Sequence, residues 1–101
     1  MPDAKRFVPE IVRLTRDKEA SVRIEAALTL GYLKPAEAVP VGPLNDLLGD
    51  SVPEVRITAL ESLERIAPRK ALESAIERLR KDPEESVRQA AEQAREHLGE
   101  K

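Results

Sequence analysis

The feature that most constrains this chain is a spaced pattern that occurs three times. Asp17, Asp50 and Asp82 are each followed five residues on by a valine: Val22, Val55 and Val87. An arginine comes next in every copy (Arg23, Arg56, Arg88), then an alanine three residues later (Ala26, Ala59, Ala91). A large aliphatic residue closes each copy, eleven positions after the valine: Leu33, Ile66 and Leu98. The copies lie 33 and 32 residues apart (50 − 17 and 82 − 50). Ahead of each aspartate stands a second matched pair: Ile11 and Leu14, Leu44 and Leu47, Ile76 and Leu79. A period of this length marks a stack of small units, none of which buries its apolar face alone.

Each unit reads as helix A, a turn and helix B. Offsets of four, eight and eleven from the valine place one apolar stripe on helix B, following the 3.6-residue period. In Asp82-Pro83-Glu84-Glu85, the aspartate suits an N-cap, the proline a first helical residue and Glu85 an N3 partner. Ser51-Val52-Pro53-Glu54 does a similar job in the second unit. Pro68 is placed to open the third helix A, and Pro35 follows the first helix B. Pro40, Gly42 and Pro43 confine the second helix A to about residues 44–48, and Pro9 marks either the start of the first helix or a kink in it.

This pattern, D-x-x-x-x-V-R-x-x-A-x-x-x-L after a helix ending L-x-x-L-x-x-D, resembles the HEAT-like repeats named after phycobilisome lyases. The likeness covers about Phe7 to Leu98, and Leu30-Gly31 is similar to that family's Leu-Gly pair. The resemblance implies an all-α fold, a right-handed α-α superhelix of three hairpins. One domain is expected over residues 1–101, with repeats near 4–33, 36–66 and 68–98. Tetratricopeptide and ankyrin signatures are both missing. The resemblance further implies that the recurring aspartates and arginines bond between successive repeats. Asp17, Arg23, Asp50, Arg56, Asp82 and Arg88 are therefore expected to form a structural ladder rather than a site repeated three times.

Composition narrows the chemistry. Cysteine is absent, which removes disulfides, thiol nucleophiles and thiolate metal sites. A net charge of −2 gives no basic excess for phosphate binding, and the B helices offer Glu61, Glu64, Gln93 and Glu96 where DNA-binding relatives in this class need a basic face. No apolar run approaches the ~18 residues of a membrane span, and residues 1–6 do not begin a signal peptide. A cytoplasmic protein is expected. His97 is the only histidine, so one chain cannot build a His-based triad or a multi-histidine metal site. Glu92, Glu96 and His97 lie near one another on the third helix B. The iron-binding hydroxylases of this repeat class, however, use paired His-Glu motifs, and this chain has a single Glu96-His97 in the reverse order. A solvated histidine favoured by the helix C-terminus is the simpler reading. Neither an enzyme nor a cofactor is expected.

The outward side of helix B is the informative surface. With the core stripe centred on Val22, Ala26, Leu30 and Leu33, a helical wheel sets Ile24, Leu28 and Gly31 opposite it. The corresponding residues of the second unit are Ile57, Glu61 and Glu64, and those of the third are Gln89, Gln93 and Glu96. The face thus grades from apolar to polar along the chain, and the third helix B resembles a C-terminal cap. The first helix, with Phe7, Val8, Ile11 and Val12, does not resemble one. Ile24, Leu28, Tyr32 and Ile57 form a candidate patch for a protein or peptide partner. Another part of a larger parent chain, or weak self-association, would cover the same patch. The expected function is a non-catalytic interaction scaffold. The alternative is a C-terminal accessory domain of a larger enzyme, such as a metallo-aminopeptidase or a phycobilin lyase.

Overall fold

The computed structural model describes residues 4–33 and 38–99. Among these residues there are six helices and no strand: α1 (Ala4–Leu14), α2 (Ala20–Tyr32), α3 (Gly42–Leu47), α4 (Pro53–Ile66), α5 (Arg69–Leu79) and α6 (Glu85–Gly99). Consecutive helices pair as hairpins, and α4 packs against α2 on one side and α6 on the other. The result is an α-solenoid of three hairpins, with α1, α3 and α5 in one layer and α2, α4 and α6 in the second. Its principal extents of 37 × 33 × 16 Å describe a slab two helices thick.

The apolar periodicity fills the space between the layers. Leu30, Leu44, Leu60, Leu63 and Leu79 are fully buried, together with Val55 and Val87. Val22, the first of the three equivalent valines, is only half-buried. Small residues let the B helices approach one another. A Cβ built on Gly31 would lie 2.6 Å from Ser62 Oγ and 3.0 Å from Ser62 Cα. The Ser62 hydroxyl donates to Ala27 O at 2.7 Å, so the polar atom at this close crossing is satisfied.

Helix starts follow one rule in all three hairpins, and it differs from the expected capping. Each A helix tightens at its end, where the N–H of Asp17, Asp50 or Asp82 donates to the leucine carbonyl three residues back. Each aspartate Oδ1 then accepts the N–H of the residue two further on, Glu19, Val52 or Glu84, at 2.9 Å. Those three residues carry the carbonyls that accept the first helical N–H groups. Asp82 is therefore not the N-cap of α6, nor Pro83 its first residue: the aspartate closes an Asx turn, and α6 begins at Glu85. In α4, Pro53 does occupy the first turn, and Pro68 precedes α5 at its N-cap. α3 starts two residues before the expected 44, because Pro43 in a first turn removes a donor that would have no helical partner there. α1 begins at Ala4 and carries Pro9 inside it. Pro35 and residues 1–3 lie outside the described residues.

Candidate functional site

The recurring polar residues converge at the joints between hairpins. Arg23 on α2 donates from Nε to Asp50 Oδ2 at 2.8 Å and from Nη2 to Asp50 Oδ1 at 3.1 Å. Arg56 on α4 repeats this arrangement with Asp82, at 2.8 and 2.9 Å. In each case Nη1 turns back to its own hairpin, donating to Asp17 O at 2.9 Å or to Asp50 O at 2.6 Å. One planar guanidinium thus ties its own turn to the carboxylate of the next hairpin in a bidentate fork. Arg88 makes the backward contacts, to Asp82 O and Pro83 O, and no further one among the described residues. The Asp17 carboxylate accepts only Glu19 N–H among those residues.

These contacts set the charge states at the joints. Burial opposes ionisation of Asp50, but the Arg23 fork and the Val52 N–H outweigh it and hold the carboxyl below its ordinary range. Asp82 is governed the same way: burial raises its pKa, while Arg56 and the Glu84 N–H lower it further. The hydrogen bond to Asp50 in turn raises the pKa of Arg23. The side chains of Arg23, Asp50, Arg56 and Asp82 are thus committed to holding the stack, whereas Asp17 and Arg88, at its two ends, form no such fork among the described residues.

Glu92 is committed as well. Arg95 and Arg80 donate to it at 3.0 and 2.9 Å and hold its carboxyl below the ordinary range. Arg80 also reaches Glu77 at 2.8 Å, so these four side chains knit α5 to α6. His97 is exposed, with Nδ1 3.4 Å from Glu64 Oε2 on the neighbouring B helix. That contact spans 33 residues and leaves no trace in local sequence. No group of three potential metal ligands occurs among the described residues.

The outer side of the B layer is less simple than one wheel suggested. Gly31 is buried against Ser62 rather than facing outward. Ile24 and Ile57 are half-buried and pack against the core. The reason is geometric: a B helix touches both its A partner and the neighbouring B helices, so it buries two flanks instead of one stripe. Leu28 is half-buried and Tyr32 is exposed. The Arg65 guanidinium lies 4.1 Å from the Tyr32 ring centroid, a cation–π contact that joins the ends of α2 and α4. Sequence reasoning named Tyr32 but missed Arg65, although the two occupy equivalent positions one repeat apart.

Three stacked hairpins with a recurring spacing and an Arg–Asp joint now meet an independent likeness: a family model for HEAT repeats matches residues 8–95. The chain belongs to the HEAT repeat family. No curated protein matches it as a relative. HEAT repeats generally mediate protein–protein interaction and are typically non-catalytic scaffolds. No helix among the described residues of this HEAT protein is long and apolar enough to cross a membrane.

Proposed function

We propose that the chain is a non-catalytic, cytoplasmic scaffold that offers the outer side of its B helices to a protein or peptide. Tyr32 carries this reading. It is an exposed aromatic ring one helical turn from Leu28, and a guanidinium is stacked on it. Aromatic and arginine side chains supply much of the energy at protein interfaces because they bury large area with few rotors to freeze. Ile24 and Ile57 form the floor, half-buried at the seams between B helices. The acidic residues Glu25, Glu54 and Glu61 are exposed around them and favour a partner with basic groups at its rim.

A photo-crosslinking residue placed at Glu25 on the B face, and another at Glu73 on α5, tests this. One protein is expected to be captured from position 25 only, and Leu28→Glu is expected to abolish its capture while helicity stays unchanged. Equal capture from both positions, or capture that survives Leu28→Glu, removes the assignment.

A further inference from the structure

The two ends of the stack differ, and the difference points to a second interface. At the C-terminal end, α6 closes the array with charge. The α2 residues that face the next hairpin are Arg23, Ile24, Ala27, Leu30 and Gly31, and their α6 counterparts are Arg88, Gln89, Glu92, Arg95 and Glu96. At the N-terminal end the buried positions of the other repeats lie open. Leu14 is 45% exposed, whereas the equivalent Leu47 and Leu79 are 5% and 1% exposed. Phe7 is 46% exposed, whereas its third-repeat equivalent Leu72 is buried. Val22 is half-buried where Val55 and Val87 are fully covered. Beside this apolar surface sits Asp17, folded into the same Asx turn as Asp50 and Asp82 but with no guanidinium hydrogen-bonded to its carboxylate among the described residues.

We propose that the N-terminal end of the stack docks a helical hairpin of a partner protein, whose outer helix supplies an arginine to Asp17. The first internal joint specifies that helix; α4 at the second shares its Arg, Ile and Leu but has Leu60 and Glu64 where α2 has Ala27 and Gly31. The partner helix presents Arg-Ile-x-x-Ala-x-x-Leu-Gly, as α2 does to α4, so that the fork grips the carboxylate, the small residues admit close packing on α2, and the hairpin covers Phe7, Leu14 and Val22. A second copy of this chain is a poor occupant. Its C-terminal end carries the arginine but sets the Arg80–Glu92–Arg95 network against the apolar surface, and that network would lose its water on docking.

The probe is this chain rewritten to carry that pattern on α6: Gln89→Ile, Glu92→Ala, Arg95→Leu and Glu96→Gly, with Arg88 kept. Phe7→Glu and Leu14→Glu close the probe's own N-terminal end. Sedimentation equilibrium of the probe mixed with the wild-type chain is expected to show a 1:1 complex, and Asp17→Asn in the wild-type component is expected to weaken it at least about tenfold. Two helical components that do not associate, or an affinity indifferent to Asp17→Asn, overturn the proposal. So does equally strong association of the wild-type chain with itself, which makes the occupant a second copy.

Should the probe fail to fold, a copy of residues 1–33 fused directly ahead of Met1 supplies the hairpin in cis. It sets the copied arginine 27 residues before Asp17, the separation of Arg23 and Asp50. The thermal midpoint is expected to rise by about 5 °C or more and to lose that gain with Asp17→Asn. An unchanged midpoint overturns the proposal.

Discussion

The joint between the first and second hairpins and the joint between the second and third use the same arginine fork but different packing around it. At the first joint the Arg23 and Asp50 side chains retain 14% and 10% of their exposure, and the helices meet at Gly31 and Ser62. At the second, Arg56 and Asp82 retain 10% and 6%, and α6 brings the buried small residues Val87, Ala91 and Ala94. The first joint brings its helices close through a missing side chain, whereas at the second the ion pair is slightly more buried. The same polar device therefore carries different weight in two places of one molecule.

The largest effect is expected at the deeper joint. Arg56→Ala leaves Asp82 buried without its counter-ion and should cost about 3 kcal/mol in chemical denaturation. Arg23→Ala, which leaves the slightly more exposed Asp50 unpaired, should lower stability by somewhat less; a larger loss there would reverse the ranking of the joints. Gly31→Ala comes next, at about 2 kcal/mol, because the new Cβ meets the Ser62 backbone as well as its hydroxyl. Ser62→Gly should recover most of that loss, and Ser62→Ala should recover little because the Ser62 Cβ is itself 2.8 Å from the added atom.

Acid should then separate the ladder from the surface charges. Asp50 and Asp82 have folded pKa values below the unfolded value of about 3.9. Their contribution is complete above that value and disappears as pH falls through the folded values, so stability should hold to about pH 4 and decline below it. In the Asp82→Asn protein, already weaker at neutral pH, the decline should be shallower; an unaltered acid limb would mean that Asp82 does not govern it. The smallest effect belongs to the exposed network on α5 and α6: Glu92→Gln should shift the thermal midpoint by no more than a degree or two.

Much of this architecture was legible because the chain states it three times. The Asp–Val–Arg–Ala spacing gives the hairpin count, the helix type and the residues of the ladder, since any position kept in register across a stack meets the same neighbour in each copy. Legibility failed where a residue's surroundings differ between its two flanks. Gly31 looks solvent-facing on a wheel, yet it abuts Ser62, because the wheel knows about helix A and not about the next helix B. Asp82 looks like a helix cap, yet the residue two further on takes that place, since a carboxylate followed by a free N–H closes a turn before the helix begins. The Tyr32–Arg65 stack and the His97–Glu64 contact both cross between repeats, where no local pattern reports them. The fold was readable from period; the candidate surface needed coordinates.

A slab 16 Å thick has a further bearing on how such a molecule can grow. A sphere that enlarges gains interior faster than exterior, so each added residue is better shielded than the last. A sheet of helices two deep gains both in equal proportion, however long it becomes. Cohesion in this chain is therefore set joint by joint, and lengthening it would multiply the number of seams without strengthening any of them.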